Sequence, residues 1–77
     1  MHFVKKANYL SGYSLSLTFE DGGKKVVDLK PYIEGEIFEP LKNIDYFKTF
    51  KVNPELDTIV WDNGADLSPD FLYEIGK

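Results

Sequence analysis

The chain has no cysteine, no arginine and one histidine among its 77 residues. Without cysteine there are no disulfides, thiolate nucleophiles or cysteine-ligated zinc and iron–sulfur sites, and a reducing compartment fits, so the chain is read as cytoplasmic. Without arginine it lacks the bidentate guanidinium contacts that most often read guanine, so direct nucleic-acid binding is not expected. His2, the sole imidazole, lies beside a terminus, where chains usually fray, and this argues against a histidine general base or triad. No apolar run approaches the roughly 20 residues of a membrane span, and Met1-His2-Phe3-Val4-Lys5-Lys6 has no signal-peptide pattern, so no membrane association is expected.

Aromatic residues and acids are plentiful. A chain this short makes one domain and buries only roughly 60–65 % of the surface its unfolded form exposes, so a few large side chains must supply the stability. Six Phe, five Tyr and one Trp are available for this. Charge is unevenly spread. Residues 1–30 carry five Lys against Glu20, Asp21 and Asp28, a net of +2, whereas residues 31–77 carry four Lys against ten acids, a net of −6. The acidic half would repel phosphates, which further argues against nucleic acid as a partner.

Hydropathy patterning predicts a small α+β domain. Phe3–Leu10 is a strand candidate that alternates poorly because Lys5 and Lys6 interrupt it, and Ser11-Gly12 makes a turn. Tyr13–Phe19 is the cleanest strand, with Tyr13, Leu15, Leu17 and Phe19 on one face and Ser14, Ser16 and Thr18 on the other. Glu20-Asp21-Gly22-Gly23 turns the chain into a returning strand, Lys24–Leu29, completing an antiparallel meander. Pro31, Gly35 and Pro40 then break the pattern, predicting a crossing segment over one end of the sheet. Leu41, Ile44 and Phe47 recur at three-residue spacing, which suits a short helix or one to two 3₁₀ turns. Phe50 and Val52, a turn at Asn53-Pro54-Glu55-Leu56-Asp57, and Thr58–Trp61 predict a second hairpin.

The densest local signals lie in Trp61-Asp62-Asn63-Gly64-Ala65-Asp66-Leu67-Ser68-Pro69. Asn63-Gly64 favours backbone with φ > 0, so the chain turns there. Ser68 is an N-cap, Pro69 the first helical residue and Asp70 a carboxylate at the positive end of the helix dipole. Leu67 and Leu72 are placed as a hydrophobic staple, and the helix Pro69–Ile75 stops at Gly76. At about two turns it cannot be stable alone and must dock on the sheet.

Several chemistries have partial signals in this stretch. Asp62, Asp66 and Asp70 recur every four residues and offer hard oxygen ligands, but Gly64 and Glu74 do not match a calcium-loop pattern. The simpler reading gives Asp62 to a strand-end turn, Asp66 to loop amides and Asp70 to the helix start, so no metal and no cofactor is assigned. No catalytic residue is assigned either: Ser68 is a cap, and Gly22-Gly23-Lys24 lacks the rest of a phosphate loop. Trp61 reads as either a binding anchor or the largest core residue, with core favoured. Tyr9, Tyr13, Tyr32, Tyr46 and Tyr73 pose the same question.

These residues resemble a family of small, mostly bacterial proteins, the domain of unknown function family 2442. The matching features are Tyr13–Phe19, Asp21-Gly22, Val27-Asp28-Leu29 before Pro31-Tyr32, Phe38-Pro40-Leu41 and, most specifically, Trp61–Pro69 before Leu72-Tyr73. Asp62 stands where the family often has Pro. The resemblance implies an α+β fold with a small antiparallel sheet and short helices. It also implies that longer relatives carry a helix-turn-helix domain after this one and that others pair with a second small protein in toxin–antitoxin-like gene pairs.

Three functional readings follow. The first is a non-catalytic protein-interaction or regulatory module whose acidic half masks a basic partner protein. The second is a small-ligand or metal site in the Trp61–Asp70 segment, at Asp62, Asp66 and Asp70 beside Trp61; the candidate interaction or ligand residues are Trp61, Asp62, Asn63, Gly64, Asp66 and Tyr73. The third is a self-associating domain, a homodimer formed through paired sheet edges.

Overall fold

The computed structural model describes all 77 residues, and its first third follows the alternation closely. Strands β1 (Val4–Ser11), β2 (Ser14–Phe19) and β3 (Lys24–Asp28) form an antiparallel sheet in the order β1-β2-β3. Leu15, Leu17 and Phe19 of β2 are buried, while Ser14, Ser16 and Thr18 lie on the opposite, open face. The poor alternation of β1 has a cause: register shifts between Val4 and Lys6 and between Tyr9 and Ser11 mark bulges, so both Lys5 and Lys6 stay exposed.

The first turn falls at Gly12-Tyr13, one residue later than expected at Ser11-Gly12. Tertiary contacts hold Tyr13 there. Its hydroxyl donates to the Lys42 carbonyl, and its ring meets Phe47 edge-on with centroids 5.3 Å apart.

The broken segment crosses the sheet at this end as two 3₁₀ helices, Lys30–Tyr32 and Glu36–Lys42, followed by a single α turn, α1 (Ile44–Phe47). Leu41, Ile44 and Phe47 therefore belong to two elements rather than one, separated by the Asn43 cap, whose side chain accepts from the Asp45 N–H at 2.9 Å. The second hairpin, β4 (Lys51–Asn53) and β5 (Thr58–Val60), turns where Asn53 Oδ1 accepts from the N–H groups of Glu55 and Leu56. Asp57 completes the turn at φ 56°, and its carbonyl accepts from the Val4 N–H at 2.8 Å, tying the hairpin to β1.

Helix α2 (Pro69–Ile75) begins as expected, with Ser68 Oγ accepting from the Phe71 N–H at a long 3.5 Å. Leu72 is fully buried and Leu67 packs against the core beside it. The helix stops at Gly76 as expected, but without a left-handed cap: the φ of Gly76 is −69°, open to any residue. What requires glycine is space, since a Cβ here would lie 2.8 Å from Cβ and Cδ of Lys25. That approach lets Lys77 exchange two backbone hydrogen bonds of 3.0 Å with Val26, adding one residue to the edge of β3.

The resulting core lies on the inner face of the sheet, with Trp61, Phe19 and Phe47 its largest members. No helix is long and apolar enough to cross a membrane.

Candidate interaction site

The loop after β5 is built around a buried indole. Trp61 is 2 % exposed, its Nε1–H donates to the Phe47 carbonyl at 2.9 Å, and its ring centroid lies 5.7 Å from that of Phe47. The core reading of Trp61 is the one that holds. From there the chain doubles back tightly. The Trp61 carbonyl accepts from the Gly64 N–H and the Trp61 N–H donates to the Ala65 carbonyl. Gly64 sits at φ 91°, a conformation that costs an L side chain roughly 1–2 kcal/mol, and Ile37 Cδ1 lies 3.8 Å from where its Cβ would be.

Asn63 is the hub of this loop. Its Nδ2 donates to the Ile37 carbonyl at 2.8 Å and its Oδ1 accepts from the Ala65 N–H at 3.0 Å. Its own N–H donates to the Tyr46 hydroxyl oxygen at 3.1 Å. One residue thus joins the loop to a 3₁₀ helix and to α1, and Ala65 behind it is buried. Asp66 then pairs with Val60 in an isolated antiparallel bridge, laying the loop along β5.

The three aspartates do not converge. Asp62 pairs with Lys51 at 2.8 Å, both exposed, and this hydrogen bond raises the Lys51 ammonium pKa above the ordinary lysine value. Asp70 accepts from the His2 N–H at 2.7 Å. Asp66 is exposed and its side chain makes no bond, so the loop-amide role expected of it is taken by Asn63. No group of three His, Asp or Glu residues stands close enough to hold a metal ion. Four-residue spacing brings carboxylates to one face only on a helix, and Asp62 and Asp66 lie before α2 begins.

Tyr73 joins a separate cluster. Its ring stacks on His2 with centroids 3.5 Å apart, lies 3.9 Å from Lys25 Nζ and meets Phe19 edge-on. His2, expected to fray, is held by that stack and by Glu20, whose Oε1 lies 3.1 Å from its Nδ1.

A groove of about 610 Å³ runs between the second hairpin and the loop, lined among others by Lys51, Leu56, Val60, Asp62, Gly64 and Asp66. Sequence reasoning placed only the loop side. Lys51 and Val60 face each other across the hairpin, a pairing that a register for the turn at Asn53–Asp57 would have revealed.

A family model described as protein of unknown function, DUF2442, matches residues 4–77. The chain belongs to the DUF2442 family. No curated protein and no solved structure matches it. In this DUF2442 domain the Trp-x-Asn-Gly-Ala-Asp run has mainly a packing logic. Trp61 and Ala65 fill the core, Asn63 latches the loop and Gly64 supplies the left-handed turn. Asp66 alone among them presents a side chain with no bond inside the chain.

Proposed function

We propose that this DUF2442 domain is a non-catalytic protein-interaction or regulatory module that engages a basic partner protein through the acidic surface of residues 34–66. The observation that carries this reading is uncompensated charge. Glu34, Glu36, Asp45, Glu55 and Asp66 are exposed with no cation paired to any of them. Over the same residues, Lys42 and Lys51 are already committed to Glu39 and Asp62, and the remaining cation, Lys48, lies over the Tyr9 ring at 5.2 Å with no carboxylate partner, so acids outnumber free lysines there. Ile37 and Leu56 stand exposed among these acids, at 45 % and 53 %, the combination of apolar contact and charged rim that protein interfaces use. That Asn63, Thr58 and Ser68 each bond to backbone supports a structural rather than a catalytic use of these polar side chains.

The test is a pull-down of the tagged chain from its native host at low and high salt, followed by affinity measurement with the purified partner. A stoichiometric protein partner should be retained at low salt and lost at high salt. Reversing charge at Glu34, Glu36 and Glu39 together should weaken it by about tenfold or more. An affinity indifferent to both salt and charge reversal overturns the reading.

A further inference from the structure

We infer that the groove between the second hairpin and the Trp61–Asp66 loop is the docking site for a lysine- or arginine-bearing peptide segment of the partner that carries bulky apolar side chains. This inference rests on the interaction reading above and assigns it a place. The groove combines shape, apolar anchors and charge. Its volume, about 610 Å³, accommodates a few side chains of an extended segment, and its open mouth lets a chain lie along it. Leu56 stands at one side, on the hairpin turn, and is 53 % exposed. On the loop side Gly64 lines the groove, with Ile37, 45 % exposed, next to it and outside the lining, 3.8 Å from the Gly64 Cβ position. Val60 lies between, half-buried.

The charge on the walls is of one sign once internal pairs are removed. Lys51 is the one cation among the lining residues, and Asp62 neutralises it at 2.8 Å. Glu55 and Asp66 are left with no cation and no hydrogen bond to either carboxylate. A cationic segment would regain with these carboxylates the ion pairs that the chain does not supply, while Leu56 and Val60 in the lining select for apolar side chains beside the cations. An acidic segment would meet like charge, and a purely polar basic one would leave both anchors wet.

The rigidity of the site supports docking without folding. Asn63 fixes the loop wall to the Ile37 carbonyl and to Tyr46, Asn53 fixes the hairpin turn, and Thr58 Oγ1 bonds the Leu67 carbonyl at 2.5 Å. A preformed groove spares the partner the ordering cost of a flexible receptor.

The test uses the intact chain, isotope-labelled, and three synthetic heptapeptides followed by amide chemical shifts and fluorescence polarisation. The probe is Lys-Lys-Leu-Lys-Lys-Leu-Lys, with one control replacing Leu by Ser and another replacing Lys by Glu. Saturable binding of the probe with shifts confined to residues 51–57, 60–66 and Ile37 is the expected result. The Ser control should bind at least about fivefold more weakly and the Glu control not at all. Glu55→Lys with Asp66→Lys should weaken the probe by about fivefold or more, whereas Lys24→Glu on the open sheet face should leave it within about twofold. Leu56→Ser, at an exposed turn, provides a second variant that keeps the fold. Shifts centred on Glu34, Glu36 and Asp45 instead would overturn the groove and leave the interaction reading standing. Equal binding of the probe and its Ser control would also overturn the groove, as charge alone would then explain it. No saturable binding at millimolar peptide overturns the groove, and if the native pull-down also yields no salt-sensitive partner, the interaction reading falls with it.

Discussion

The meander of residues 4–28 is held by a backbone ladder, regular between β2 and β3 and bulged twice between β1 and β2, whereas residues 30–66 are held by side chains bonded to main-chain groups far along the chain. In the first region a hydrogen bond follows from β pairing, and any residue of suitable hydropathy can occupy most positions. In the second, two 3₁₀ helices, one α turn and a three-residue hairpin cannot satisfy their own backbone groups. Tyr13, Asn53, Thr58, Trp61 and Asn63 supply the missing partners, each a specific donor or acceptor at a specific place. Substitutions should accordingly be tolerated by pattern in the first region and by identity in the second.

The largest effect should come from Trp61, where both kinds of bonding meet. Trp61→Ala removes a fully enclosed ring and should cost roughly 3–5 kcal/mol, enough to unfold much of the population of so small a domain. Circular dichroism with urea titration reads it directly. Trp61→Phe separates the two contributions, because it keeps most of the packing but leaves the Phe47 carbonyl with only the long 3.4 Å bond from the Phe50 N–H. If Trp61→Phe is indistinguishable from the parent, the side-chain bond is not part of what holds the second region.

Gly76→Ala should cost about 1–3 kcal/mol through overpacking against Lys25, despite a φ that alanine accepts. It should also speed exchange of the Val26 amide proton, which donates to Lys77. Parent-like stability would show that the Lys25 stem gives way, and the region would then be less tightly joined to α2 than its geometry indicates. Asn63→Ala comes next, at about 1–2 kcal/mol for two side-chain bonds at a largely exposed site. Asn63→Asp sharpens the comparison: it retains an acceptor for the Ala65 N–H, loses the donor to Ile37 and should fall between parent and Ala.

Ser68→Ala should cost only about 0.5 kcal/mol, the weak end for an N-cap, since its bond is 3.5 Å long. The smallest effect belongs to the exposed ion pairs. Glu39 and Asp62, each hydrogen-bonded to its lysine, raise the pKa of Lys42 and Lys51 above the ordinary lysine value. A raised lysine pKa contributes stability that is fully present below the unfolded value and lost as pH rises through the folded one. Loss of Asp62 should therefore lower the thermal midpoint slightly at neutral pH, where the pair is fully formed, and remove the matching slight decline in the alkaline range. Solvent screening keeps both effects small.

What was legible follows the same division. Tyr13–Phe19 announced its buried face because a half-buried strand has a period of two, which short windows display. The N-terminus of α2 was legible for a similar reason: capping is a local act, settled by Ser68 and Pro69 themselves. The candidate site was legible in half. Asn63-Gly64 signalled a turn, but its partners at Ile37 and Tyr46 lie 26 and 17 residues away. The opposite wall, from Lys51 to Leu56, carried no signal beyond turn composition. The spacing of Asp62, Asp66 and Asp70 carried no information on proximity, because regular spacing means closeness only on a regular element.

The amino-acid sequence by itself determined the α+β class, the faces of the meander, the positions of the turns to within a residue and the acidic character of the second half. Each of these rests on interactions between near neighbours or on composition alone. Tertiary structure decided which carboxylates remain unpaired, why Gly76 is glycine, where His2 rests and that a hairpin and a loop enclose one groove. Those outcomes depend on residues distant in the chain meeting at hydrogen-bond range, which no local pattern specifies.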